Sequence, residues 1–390
     1  MPPFRRAFAT ICIFAPLVYI YWRKFTTPGG FLNDAAPDHV LNKTLGFSKI
    51  FVINLPSRTD RRDAMALAGA VSNLSFSWID GVTGDQVPDE VIPKSDRGHS
   101  TGARGSWRSH MNALQAIVDQ DLRSALILED DIDWDIRLKS QLQTFAAASR
   151  TWLRELQSGK AEIELLGTTV RTGGGAKSVY GDGWDVLWLG HCGADLPDVQ
   201  KSPISPLVGT IPGDETVPAP KHLRPHPFAL NDKLGDLYPP HTRVVHASSG
   251  NTCTLAYAIS QEGARKLLLE FNSYYDTQWD LMLQKWCEGR YMTREGESRA
   301  KSLLDNDDKA FREPREAPPT CLTVRPPLLS HYYPKGGSSD IQGQGGGYSK
   351  GSGSPYIRLS VRKNLGRLVT GEPLGAMVDQ LPDDGIPIWK

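Results

Sequence analysis

The sequence predicts an α/β fold with a mostly parallel central sheet. Three observations carry this. An apolar, β-branched run at 49–55 is followed by a helical stretch at 59–69 and a second short strand at 76–79. A third apolar run, 124–128, leads straight into Glu129-Asp130-Asp131. A later strand at 252–259 feeds a helix at 260–271. Strand, helix, strand at the first of these spacings opens an α/β domain with a parallel sheet.

In order along the chain, Pro56 and Ser57 end the first strand, and Thr59 is well placed to cap the helix after it. Asp80-Gly81 closes the second strand. Residues 95–106 are rich in Gly, Ser and Arg and read as a loop. Helical periodicity then runs over 109–120 through Met111, Leu114, Ile117 and Val118. The third strand is followed by a long helix at about 137–157 and a strand at 185–189. Residues 196–243 are proline-rich and weakly patterned, and read as an insertion or surface excursion. A further helix is expected over about 277–288, and 334–355, dense in Gly and Ser, reads as a disordered linker.

The N-terminus stands apart. Residues 7–22 carry no charge, with Arg5 and Arg6 before them and Arg23 and Lys24 after. Sixteen helical residues span about 24 Å, short of a bilayer core of about 30 Å. A thin early-secretory membrane and snorkelling basic side chains absorb the difference, and Tyr19, Tyr21 and Trp22 fit an interfacial belt. A signal anchor over 1–24 is favoured over a cleaved signal peptide; a mitochondrial presequence would be amphipathic. The expected organisation is anchor 1–24, stem 25–47, catalytic domain 48–333 with the insertion near 196–243, and a linker and tail over 334–390.

Basic and acidic residues number 44 each, so no net charge draws the chain to nucleic acid, and a compact substrate is expected. Two sequons, Asn42-Lys43-Thr44 and Asn73-Leu74-Ser75, favour a lumenal body. The expected location is a secretory-pathway membrane, Golgi or endoplasmic reticulum. Cys192, Cys253, Cys287 and Cys321 allow three pairings, among which the sequence does not choose, and free thiols are an equal alternative. None has the Cys-x-x-Cys spacing of a zinc site.

The chemistry concentrates in two places. Glu129, Asp130, Asp131, Asp133 and Asp135 place five carboxylates within seven residues at the end of an apolar strand. Ligands bind at the carboxyl ends of such strands, and a divalent cation relieves the repulsion among clustered carboxylates. The bland alternative is an acidic loop that caps the next helix. A calcium-binding EF-hand fails, because Ile136 and Leu142 stand where its Gly and Glu belong. The second place is Asn54-Leu55 with Arg58, Arg61 and Arg62, an amide and three guanidinium groups at a helix start suited to phosphates. Its alternative is a solvated basic face. No Gly-x-Gly-x-x-Gly or Walker loop follows the first strand.

The order Ile53-Asn54-Leu55 with Arg58 and Asp60-Arg61-Arg62, then Ile79-Asp80-Gly81, Ser109-His110 and Leu128-Glu129-Asp130-Asp131 resembles glycosyltransferase family 25. That family includes bacterial lipooligosaccharide galactosyltransferases and collagen galactosyltransferase domains. Tyr257-Ala258-Ile259-Ser260, Gly263-Ala264, Trp279-Asp280 and, more loosely, Pro326-Pro327-Leu328 extend the resemblance over roughly 48–345.

The resemblance implies a GT-A-like nucleotide-diphospho-sugar transferase fold, inversion at the anomeric carbon, a UDP-sugar donor, manganese, and a glycan or protein acceptor. It sets Asn54, Leu55 and Arg58 along the nucleotide, with Arg61 as a phosphate partner. Asp80 is expected on the base or ribose, and Asp131 with Asp130 or Asp133 on the metal. His110 is a candidate for the diphosphate or a brace for the loop before it. An inverting displacement needs a general base, for which Asp280 is the candidate and Asp276 its neighbour. His331 is a candidate third metal ligand or a packed surface residue.

Overall fold

A computed structural model of the chain describes residues 39–93, 98–156, 158–165, 178–198, 200–223, 233–292, 318–334 and 353–386. The anchor segment and most of the stem lie outside these. Among the described residues, no helix is long and apolar enough to cross a membrane.

The chain enters through β1 (Lys49–Asn54), α1 (Thr59–Val71) and β2 (Phe76–Asp80). Next come α2 (Thr101–Asp119), β3 (Ser124–Glu129), β4 (Ile132–Trp134) and α3 (Leu138–Glu155). Then follow β5 (Glu162–Glu164), β6 (Val186–Gly190), β7 (Val208–Ile211), β8 (Arg243–Ala247) and β9 (Ala256–Ser260). The chain closes through α4 (Gln261–Phe271), α5 (Trp279–Cys287), β10 (Cys321–Arg325), β11 (Leu329–His331) and α6 (Val361–Val369).

One sheet runs β2-β1-β3-β9-β6-β10-β8-β7-β5, with β11 bridging β4 and β6. Strands β2, β1 and β3 are parallel, while β9 runs antiparallel between β3 and β6. This is the α/β architecture expected. Alternation along β1 and β3 divides the core. Ile50, Val52, Leu126 and Leu128 pack with Leu142, Phe145 and Trp152 of α3 on one face. Phe51, Ala125 and Ile127 pack with Trp107, Met111 and Leu114 of α2 and Leu267 of α4 on the other.

Several expectations give way to the observed packing. Thr59 does not cap α1; Arg58 holds that position without a side-chain cap bond, and Thr59 is the first helical residue. Part of the loop read over 95–106 is helix, because Ser100 Oγ accepts from Ala103 N and starts α2 at Thr101. Gly105 then seats α2 against the turn after β2, where a Cβ would come 2.4 Å from Val82 O. Residues 39–47, read as stem, pack on the core: Phe47 stacks on Tyr180 with centroids 4.7 Å apart, and Tyr180 Oη donates to Leu45 O. The stretch 196–243 contributes β7, buried throughout and paired to β8. The tail beyond 353 also belongs to the body, since α6 packs on α1 and β4.

All four body cysteines pair, as Cys192–Cys253 and Cys287–Cys321. Two disulfides in one domain accord with an oxidising compartment.

Candidate active site

Asn54, Asp80 and Glu129 end the three parallel strands β1, β2 and β3, with Asn54 opposite Asp80 and Ile53 opposite Glu129. The turn Glu129-Asp130-Asp131 leaves the sheet at this edge. β11 approaches it from β6, pairing His331 with Ile132, and Tyr332 N donates to Asp131 O. Asp280 of α5 lies close enough for its charge to act on Glu129.

The turn is held by cations. Arg61 Nη1 lies 2.7 Å from Asp130 Oδ1 and 2.9 Å from Asp131 Oδ2. Asn54 Nδ2 donates to Asp130 Oδ2 at 2.7 Å and to Arg58 O at 3.1 Å. So Arg61 and Asn54, expected on the nucleotide, here grip the acidic turn. Arg58 lies across Asp60 at 2.7 Å, and that bond lowers the Asp60 carboxyl to about 2. Leu55 is half-buried beside them, and Asp80 is exposed, 3.9 Å from Arg62.

Burial pushes the Asp131 carboxyl up, but His331, Arg61 and Arg362 outweigh it and hold it well below the usual range. Asp131 Oδ1 is buried without a hydrogen-bond partner. Glu129, which accepts from Thr254 Oγ1, is raised to about 8 by burial and by the charges of Asp131, Asp280 and Asp130.

Asp133 is a correction. It is wholly buried, and its carboxylate accepts from Ser354 Oγ, Ser360 Oγ, Trp134 N and Arg362 N. The C-terminal segment takes up both of its oxygens, so it anchors that segment rather than presenting an open ligand. His110 is also deep: its Nδ1 is 3.0 Å from Tyr257 Oη, and its ring stacks on Trp279 at 4.9 Å. Burial lowers it to about 3, so it is neutral; it backs Glu129, 3.9 Å away, as a brace.

Asp280 sits in the first turn of α5. Its Oδ2 accepts from Cys253 N at 2.8 Å and its Oδ1 from Leu281 N at 2.9 Å, and burial raises its pKa. Asp276 is taken up by Lys285, Tyr274 and Tyr291 and drops out as a base. Sequence reasoning missed Arg362, whose Nε and Nη2 donate to Ile132 O and Asp130 O, and missed Ser354 and Ser360. No local signal marks them, since all come from a segment far along the chain.

The donor chemistry suits a divalent cation: a buried carboxylate oxygen without a partner, with an imidazole 3.2 Å from the other oxygen of the same group. Among the described residues, no three His, Cys, Asp or Glu side chains converge to hold a metal by themselves. A cation held there would need ligand oxygens to complete its shell.

Residues 47–165 match the model of glycosyltransferase family 25 (LPS biosynthesis protein). Procollagen galactosyltransferase 1 of Danio rerio is 29% identical over 135 residues, 31% of this chain and 21% of the relative. Procollagen galactosyltransferase 2 of Homo sapiens is 28% identical over 111 residues, 25% of this chain and 18% of the relative. A probable inactive glycosyltransferase 25 family member 3 of Bos taurus is 23% identical over 237 residues, 57% of this chain and 29% of the relative. The chain thus spans under a third of the length of these relatives.

Proposed function

We propose that the chain, whose residues 47–165 match glycosyltransferase family 25, moves a hexose, galactose first among the candidates, from a UDP-sugar to a hydroxyl of a glycan or protein, with inversion. The observation that carries this reading is the partnerless Asp131 Oδ1 at the carboxyl edge of β3, beside His331. Asp131 and His331, with Asp130 beside them, would hold a divalent cation, manganese in the expected case, whose shell ligand oxygens would complete. Bound there, it supplies positive charge against the departing diphosphate.

This chain's own residues do the rest. Arg61 bridges Asp130 and Asp131 and stands ready to turn one guanidinium edge toward phosphate oxygens. Arg58 and Asn54 flank the nucleotide path, and Asp80 lies exposed where a ribose or base would pass. Asp280 takes the acceptor proton: backbone N–H groups fix both of its oxygens, and its raised pKa suits a base. The body is lumenal, consistent with its two disulfides, and the 1–24 segment attaches it to a secretory-pathway membrane.

The test uses Asp280→Asn. UDP-galactose with manganese binds as to the parent by isothermal titration, while transfer falls by about 10²–10⁴-fold. Transfer at the parental rate removes Asp280 as the base. A second reading, a nucleotide-sugar-binding protein without turnover, draws on Arg61, which already fills the space between Asp130 and Asp131. Binding by the parent with neither donor hydrolysis nor transfer selects that reading.

A further inference from the structure

The two sequons meet on one patch of the surface, far apart in sequence as they are. Ser75 N donates to Lys43 O at 2.9 Å, and Lys139 Nζ donates to both Leu41 O and Asn73 O. Their chemical states differ. Asn42 Oδ1 accepts from Thr44 N at 2.9 Å and Gly46 N at 3.0 Å, closing the turn that leads into the core at Leu45 and Phe47. Thr44 Oγ1 is drawn into the same turn, donating to Phe47 O at 2.6 Å. The amide and the hydroxyl that a glycosylating enzyme must engage at 42–44 are both built into the fold.

At 73–75 both groups are exposed, and neither side chain makes a hydrogen bond among the described residues. The backbone explains why Asn73 points outward. Leu74 N donates to Gly69 O and Asn73 N to Ala70 O, the paired bonds of a Schellman motif ending α1. Asn73 is its left-handed residue, with φ 51°, a position that Gly or Asn fills at least cost. Helix termination alone therefore accounts for an asparagine here, but it gives no reason for a free serine hydroxyl two residues on. Beside Asn73 opens a pocket of about 410 Å³, with Val71, Leu74, Trp134, Ile136 and Leu138 among its walls. Such a wall suits the apolar face of a sugar ring.

We propose that Asn73 carries an N-linked glycan and that Asn42 does not. The donor is an oligosaccharide on a polyprenyl diphosphate. Asn73 Nδ2 forms the bond to the anomeric carbon, and the carbon–oxygen bond to the diphosphate breaks. The lipid diphosphate leaves with the electron pair, and the amide loses one proton. The inference rests on a lumenal body and is independent of whether the site turns over.

The full chain expressed in a secreting eukaryotic cell provides the test, with protease protection of sealed microsomes reporting lumenal placement separately. Glycopeptide mass spectrometry of the wild type is expected to find sugar on Asn73 and a bare Asn42. Asn73→Gly, which keeps the helix end, and Ser75→Ala each abolish one endoglycosidase-sensitive step in gel mobility; Ser75→Thr retains it. A protected body with a bare Asn73, or a glycan on Asn42, overturns the proposal. An unprotected body overturns it by removing its premise.

Discussion

His331 Nε2 stands 3.2 Å from Asp131 Oδ2, joining β11 to the turn after β3. The pair brings an imidazole and a carboxylate together from residues two hundred positions apart. If they share a cation, Asp131→Asn lowers transfer by about 10²–10³-fold through lost charge at the leaving group. His331→Ala weakens manganese binding by about 10–100-fold. Titration calorimetry with manganese and UDP reads both, and unchanged affinity in both variants removes the metal from this pair.

Asp133 answers the same experiment in the opposite sense. Its carboxylate is spent on Ser354, Ser360 and two backbone N–H groups. Asp133→Asn leaves manganese affinity at the parental level. Asp133→Ala strands the two hydroxyls and lowers unfolding stability by about 2–4 kcal/mol, read by chemical denaturation. A selective loss of manganese binding in Asp133→Asn returns it to the ligand set.

The loops closed by the disulfides span 61 and 34 residues. Chain-entropy arguments assign each about 4 kcal/mol. Cys192→Ser with Cys253→Ser should lose about that much, and activity should fall further than stability, because Cys253 N also holds Asp280. Denaturation midpoints with and without reductant, set beside turnover, check both halves. Parental turnover in the double variant breaks the link to Asp280.

His191 Nε2 donates to Val324 O at 2.9 Å in full burial, and that burial lowers its pKa to about 4. The unfolded chain takes up a proton near pH 6.5, and the folded one refuses it until about 4. Stability is therefore lost as pH falls through that window, by about 3 kcal/mol from this residue. His191→Asn makes the stability–pH curve shallower there. Curves that run parallel for variant and parent from pH 7 to 4 rule this out.

Local pattern made much of the molecule legible. Apolar runs placed β1 and β3, and the carboxylates that follow Leu128 pointed to the edge where Asp131 now sits. Trp279-Asp280 at a helix start also lay where the geometry has it. What stayed hidden depends on long-range contacts. Ser354 and Ser360 reach Asp133 across 221 and 227 residues, and no short window holds both ends. Likewise, the four-residue strand Val208–Ile211 has no pattern of its own and is defined by pairing with β8. Asn54 ends β1 and Arg61 lies in the first turn of α1, and both face the carboxylates.

The fastening of Asp133 from the far end of the chain has a consequence for biosynthesis. A ribosome that has delivered the acidic turn has not yet delivered Ser354, Ser360 or Arg362. Until they emerge, the Asp133 carboxylate lacks those three partners, and the turn lacks one of its restraints. The nascent chain thus carries its acidic edge unfinished until residues 354–362 have been made.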